Sequence, residues 1–306
     1  MESMELTNAA VREYLLFCET QKRLDRKTIK AYRIDLRQFL KFSISTGRRF
    51  DREAVKSYTA RLNGTYKPST VRRKLASIRA LTTWLLDEGK MAVNPFERLR
   101  IRLREEHRLP RTIPFRVVER MLAEAHKRLR LRPDDSSVLC ETAVLEALFA
   151  TGMRVSELCG LNARDLDLKD GIIRIFGKGK KERILSVTNA EVLSILRRYA
   201  KGIEAKPGEP FFQNRRGHRL SEASVRRMVR KYGELAGEAT RITPHMFRHT
   251  VATLLLEGDV DIRCIQQLLG HSSILTTQIY THVADAKQRE ILQMKHPRNQ
   301  LSFREA

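Results

Sequence analysis

Ile172-Ile173-Arg174-Ile175-Phe176-Gly177-Lys178-Gly179-Lys180-Lys181-Glu182-Arg183-Ile184-Leu185-Ser186-Val187 is the stretch of this chain that reads as β-structure. Two β-rich runs, 172–176 and 183–187, flank a segment with two glycines and three lysines, and that punctuation predicts a β-hairpin. Elsewhere apolar residues recur at steps of three and four, the period of a helix. Just upstream, Val117, Met121, Leu122, Ala125 and Leu129 line one such face. A second helix is expected over roughly 137–150, stopping at Gly152, and the pattern after the hairpin is helical again. Lys127–Asp135 and Gly202–Glu209 read as surface loops.

Residues 1–103 read as all-helical. Thr28 is placed to cap a helix whose face runs Ile29, Tyr32, Leu36, Phe39, Leu40. Ser69 or Thr70 is placed to start another, with Val71, Leu75, Ile78 and Leu85 on one side. Arg72, Arg73, Lys74 and Arg79 fall on its other faces and are candidate DNA contacts, while Gly89 suits its end and Asn94-Pro95 closes the element. Residues 104–113, charged and broken by Pro110, are expected to link this domain to a second one over 114–306. The expected fold is therefore mainly α with a small β-hairpin or sheet: an N-terminal helical domain followed by a C-terminal α+β domain.

Lys and Arg outnumber Asp and Glu by 59 to 36 in 306 residues, a net charge of +23. Such an excess calls for a polyanion, and nucleic acid is favoured over a membrane surface. The cations are spread along the whole chain, and no run approaches the about 20 apolar residues of a spanning helix. The N-terminus lacks the basic-then-apolar layout of a secretory signal, so a cytoplasmic protein is expected. Cys18, Cys140, Cys159 and Cys264 show no C-x-x-C spacing, which argues against a zinc ribbon or redox pair and for reduced, mostly buried thiols.

Four clusters carry the chemistry. Thr151-Gly152-Met153-Arg154 lies where one helix stops and another begins, and Arg154 is placed to pair with Glu157 three residues on. Gly177–Glu182 lacks the G-x-x-x-x-G-K-[ST] pattern and sits between strands, so it is read as a basic hairpin tip for a DNA groove, with no nucleotide implied. Thr243-Pro244-His245-Met246-Phe247-Arg248-His249 reads as a capped helix start with His245 and Arg248 on one face, favourable to an anion. A metal site on His245 and His249 is disfavoured, because the glutamate of H-E-x-x-H and a third ligand are missing. The fourth cluster runs Gly270-His271-Ser272 to Thr276-Thr277-Gln278-Ile279-Tyr280. Two arginines, a lysine, two histidines and a tyrosine suit a phosphodiester attacked by a phenol.

In this order and spacing the clusters resemble those of the tyrosine recombinases, the phage-integrase family, and within it the two-domain Xer-type enzymes. The likeness covers nearly the whole chain and is looser in the N-terminal part. Ala150–Leu158 resembles the first-arginine motif, Gly177–Arg183 the β-hairpin lysine motif, Pro244–His249 the H-x-x-R motif, and Leu268–Ser272 with Thr276–Tyr280 the final block. The resemblance implies that Tyr280 is the nucleophile and that Arg154, Arg248 and His271 hold the phosphate. It further implies that Lys178 protonates the leaving 5′ oxygen, and His245 is the candidate to take the tyrosine proton. Glu157 would support Arg154, and Lys180, Lys181 and Arg183 would touch DNA. A 3′-phosphotyrosyl intermediate and four protomers on two double-stranded DNA sites are implied, with no cofactor and no metal. The tail with Ala284, Ile291, Leu292 and Met294 would dock on a neighbouring protomer or on its own domain. No arm-binding domain of the lambda type is expected at the N-terminus. Chromosome-dimer resolution, integration of a mobile element and inversion all stay open. So do a type IB-like topoisomerase and a non-catalytic DNA-binding regulator; a carboxylate–metal transposase is disfavoured.

Overall fold

A computed structural model describes residues 5–99, 101, 111–176, 182–270 and 292–300. Lys178, Lys180, Lys181, His271 and Tyr280 lie outside the described residues, as do Ala284, Ile291 and most of the 104–113 segment. The chain divides into two compact units, Met1–Arg108 and Leu109–Ala306, and the division falls within 104–113.

The first unit is built from α1 (Asn8–Thr20), α2 (Arg26–Thr46), α3 (Arg52–Asn63) and α4 (Pro68–Asp87). The apolar faces read from the sequence are its core: Leu36, Phe39, Val71, Ile78 and Leu85 are fully buried. Two starts differ from expectation. Asp25, and not Thr28, caps α2; its carboxylate accepts from the amides of Lys27 and Thr28 at 3.0 and 2.9 Å. An aspartate ahead of the helix satisfies two orphan amides at once, and Thr28 itself donates its hydroxyl to Asp25 at 2.6 Å. α4 starts at Pro68, before Ser69, because proline's fixed φ and missing N–H suit a first turn.

Inside this unit Asp35 is completely buried. It accepts hydrogen bonds from Arg73, from Lys74 at 3.1 Å and from the Ser77 hydroxyl at 2.9 Å. Burial of a carboxylate is tolerated only with such partners. Two of the candidate DNA contacts are thus engaged internally: Arg73 pairs with Asp35, and Lys74, only 3% exposed, also donates to Gln38. Arg72 and Arg79 are exposed, with the Arg79 guanidinium 5.0 Å from the centre of the Phe96 ring.

The second unit packs around α6 (Ser136–Thr151), which is buried along nearly its whole length and mostly apolar around its circumference, as suits a central helix. α5 (Phe115–Leu131), α8 (Ala190–Ile203), α9 (Glu222–Leu235) and α10 (Pro244–Glu257) surround it. α5 runs through Leu131, so half of the expected Lys127–Asp135 loop is helix; buried Leu129, four residues after buried Ala125, holds the last turn on the core. Likewise α8 takes Gly202 and Ile203 from the expected Gly202–Glu209 loop. The described cysteines are free thiols, three of them buried.

The hairpin is present as β2 (Ile172–Phe176) and β3 (Glu182–Ser186), antiparallel with Ile173 opposite Leu185 and Ile175 opposite Arg183. A two-residue strand, β1 (Leu166–Asp167), adds to the far edge of β2. It is too short to leave an alternating pattern in the sequence. The sheet buries Ile173, Ile175 and Leu185 and turns Arg174 and Phe176 outward. α7 (Val155–Gly160) follows α6, and α11 (Ile262–Leu269) follows α10. A short 3-10 turn, Pro297–Gln300, brings the C-terminal segment back to the core.

Candidate active site

Four chain segments meet where α6 ends. Gly152 terminates α6 in the left-handed conformation, φ 60°, which a side chain would strain. A methyl group there would also stand 2.8 Å from Leu269 Cδ2, so the bare glycine lets α11 approach. Two residues on, Arg154 caps α7. Its amide donates to Glu157 Oε2 at 2.8 Å and its Nη1 to Glu157 Oε1 at 2.8 Å, which is the pairing the three-residue spacing predicted. Its Nη2 donates to the Gly270 carbonyl at 3.1 Å.

Arg248 comes from the second turn of α10. It is 3% exposed, and donates through Nη1 to the Gly152 carbonyl at 3.1 Å and through Nη2 to the Leu269 carbonyl. The two arginines, far apart in sequence, therefore both hold the C-terminal end of α11. The carbonyls there are the orphan acceptors of a helix end, and guanidinium groups satisfy them with favourable dipole alignment.

Arg183 completes the group. It lies on β3 with the same parity as buried Leu185 and opposite buried Ile175, so its side chain faces inward and is 16% exposed. Both terminal nitrogens meet Glu157, Nη1 to Oε1 at 2.9 Å and Nη2 to Oε2 at 2.7 Å. This two-pronged match is the strongest geometry an arginine–carboxylate pair offers. Its inward parity was visible in the strand pattern, although the basic surroundings pointed to DNA.

One carboxylate thus sits among three guanidinium groups. Burial alone would push the Glu157 carboxyl up, but the bonds from Arg183 and Arg154 outweigh it and hold it below the usual range. The reverse holds for Arg248: burial, then the charges of Arg154 and Arg183 against the opposing pull of Glu157, lowers its guanidinium to about 10. Three guanidinium groups face one carboxylate, an excess of positive charge. The site is poised for an anion.

α10 begins as the sequence indicated, with Thr243 as its cap residue and Pro244 in the first turn, though the Thr243 side chain makes no capping bond. His245 is exposed, and its Nε2 lies 3.0 Å from Nε2 of His249, one turn on. The two rings meet edge to face, and one imidazole must donate while the other accepts. Burial first, then His245 and Arg248, lower the pKa of His249. Among the described residues no three His, Cys, Asp or Glu side chains converge on a metal-sized site, and no helix is long and apolar enough to cross a membrane.

Sequence reasoning missed the backbone carbonyls of Gly152, Leu269 and Gly270 and the inward role of Arg183. The carbonyls carry no sequence signal at all.

Comparison with known proteins places the same residues in a family frame. Residues 111–287 match the phage integrase family and residues 11–89 match the phage integrase N-terminal SAM-like domain. A tyrosine recombinase of Agathobacter rectalis is 48% identical over 299 residues, covering 96% of this chain and 98% of that protein. Tyrosine recombinase XerC of Thermodesulfovibrio yellowstonii is 36% identical over 306 residues, covering 96% and 98%. Among solved structures, a post-cleavage complex of XerH recombinase with a palindromic difH substrate shares the fold, with a TM-score of 0.67, 22% identity and coverage of 92% and 83%.

Proposed function

The chain belongs to the phage integrase family and is a tyrosine-type site-specific recombinase, and from that premise we propose how its residues carry the reaction. Tyr280 attacks a DNA phosphorus through its phenolic oxygen. A phosphorus–oxygen bond to tyrosine forms, and the bond to the 5′ oxygen breaks. The product is a 3′-phosphotyrosine and a free 5′ hydroxyl. A free phenol with a pKa of about 10 needs a base, and His245 takes its proton. Lys178 gives the departing 5′ oxygen its proton. Arg154 and Arg248, with His271, hold the non-bridging oxygens as charge builds on them. The covalent link conserves the phosphodiester energy, so a 5′ hydroxyl from a second duplex reverses the step onto a new strand. Neither ATP nor a metal enters the balance. Four protomers on two double-stranded sites complete the exchange; Leu292 is buried in the core of its own domain and anchors the tail there, which leaves exposed Met294 to meet a neighbouring protomer.

The observation that supports this reading most is the cluster at the end of α6. Arg154, Arg183 and Arg248 outnumber Glu157, so the cluster lacks countercharge, and Arg248, depressed first by its burial, is lowered further by the charges of Arg154 and Arg183. A phosphate supplies that charge, and forked guanidinium groups suit it better than point charges do.

The test is covalent capture on a nicked suicide duplex. Wild-type protein is expected to form an adduct resistant to denaturant, while Tyr280→Phe binds the duplex but forms none. An adduct with Tyr280→Phe removes Tyr280 as nucleophile. DNA affinity is expected to fall steeply with salt, in keeping with the net charge of +23.

A further inference from the structure

We infer that Arg183 is a positioning residue of this active site, fixing Arg154 through their shared carboxylate Glu157 and bracing the end of α11 at Gly270, and is not a DNA contact. The inference rests on the proposed transesterification.

Three observations support it. First, strand parity turns Arg183 inward beside Ile175 and Leu185, away from the solvent a DNA backbone would come from. Second, both of its terminal nitrogens are committed to Glu157, at 2.9 and 2.7 Å, so the fork a phosphate would use is already filled. Third, Arg183 lies directly under Gly270, where a methyl group would be 2.8 Å from its Nη1 and 3.2 Å from its Cδ. Gly270 in turn gives its carbonyl to Arg154, and Arg154 shares Glu157 with Arg183. The four residues close a ring: Arg183, Glu157, Arg154, Gly270.

The ring has a mechanical meaning. Glu157 attracts Arg154 strongly, and a carboxylate with only that partner would draw the guanidinium onto itself. Arg183 bonds the same two carboxylate oxygens that Arg154 uses and shares their charge. The remaining N–H groups of Arg154 then stay aimed toward Gly270, where α11 ends one residue before His271. In sequence Arg183 is also five residues from Lys178. One side chain thus ties the strand after the hairpin loop to the first arginine and to the last helix before the final motif.

The experiment measures single-turnover cleavage of a suicide duplex at saturating DNA, alongside DNA affinity as a function of salt, for Arg183→Lys, Arg183→Gln, Glu157→Gln and the double variant Arg183→Gln/Glu157→Gln. A displaced arginine is expected to slow cleavage roughly ten- to a hundredfold, since small misplacements of this kind carry such factors. Affinity and its salt slope stay as in the wild type. Arg183→Lys does not restore the rate, because an ammonium cannot bridge both carboxylate oxygens. The double variant is no slower than the slower single one, because both changes break the same link. Weaker binding with a salt slope flattened by about one, and normal cleavage at saturation, would mean a phosphate contact and overturn the inference. Additive losses in the double variant overturn it too. So does full cleavage rate per folded molecule in a variant that merely melts earlier. If instead wild-type adduct formation survives Tyr280→Phe, the transesterification reading itself has failed, and the two failures are told apart.

Discussion

Two carboxylates of the second unit, Glu146 fully buried and Glu157 with a 7% exposed side chain, have opposite surroundings. Glu146, in the middle of α6, is fully buried and meets Arg298 from the C-terminal turn, Nε to Oε2 at 2.6 Å and Nη2 to Oε1 at 2.7 Å. The same guanidinium reaches Glu191 at 3.2 Å, and His126 Nε2 lies 2.6 Å from Glu146 Oε1. There one arginine serves two acids. At Glu157 one acid serves Arg154 and Arg183, with Arg248 close by, its pKa lowered first by burial and then by their charges. The first cluster is sealed, with Arg298 at 0% exposure; the second stays open through Arg154, whose side chain is 41% exposed. A charge cluster that is balanced and closed holds a fold together. One that is unbalanced and open waits for a ligand.

The sharpest way to break this contrast is to remove one arginine from each cluster. Arg298→Ala leaves the fully buried Glu146 with His126 as its one described partner, and unfolding in urea is expected to show a loss of about 3–5 kcal/mol. Arg154→Ala is expected to barely move the urea midpoint but to slow cleavage about a hundredfold, about 3 kcal/mol of barrier. A large stability loss in the second variant, or a small one in the first, would erase the distinction between them.

Acid provides a third test. His296 is buried against Phe149, and burial, then the charge of Arg298, pulls its pKa down to about 4, with Glu146 opposing. The unfolded chain binds a proton there below the ordinary value of 6.5, while the folded chain refuses it until about 4. Stability is therefore whole above pH 6.5 and declines as pH falls toward 4, by about 2 kcal/mol at pH 5 from this group alone. Glu146, held below its ordinary range by His126 and Arg298 against the cost of burial, adds to the loss at the acid end. Melting curves between pH 7 and pH 5 check this, and His296→Asn should flatten them. The smallest expected effect lies outside both clusters. Ser221 caps α9 by accepting the Ser224 amide at 3.1 Å, and Ser221→Ala is expected to cost about 1 kcal/mol in a urea titration.

How far the sequence could be read follows from the range of each interaction. The hairpin, the stop at Gly152, the start at Pro244 and the Arg154–Glu157 pair are local, spanning a few residues, and each left a visible pattern. The apolar face Val71, Leu75, Ile78, Leu85 was legible for the same reason. Lys74 was not, because its burial depends on Asp35, a long way upstream on another helix. The Arg298–Glu146 lock joins residues 152 apart and writes nothing into either neighbourhood. Arg183 differs: its strand parity made its inward turn legible, but a basic setting outweighed that parity in the reading.

Three of the acceptors that hold Arg154 and Arg248 are main-chain oxygens, those of Gly152, Leu269 and Gly270. No codon change deletes a peptide oxygen. Laboratory evolution of this enzyme toward a new DNA target can therefore rewrite side chains widely while the seating of both arginines is inherited unchanged, and inserting or deleting a residue between Arg248 and Gly270 is the genetic lesion that would unseat them.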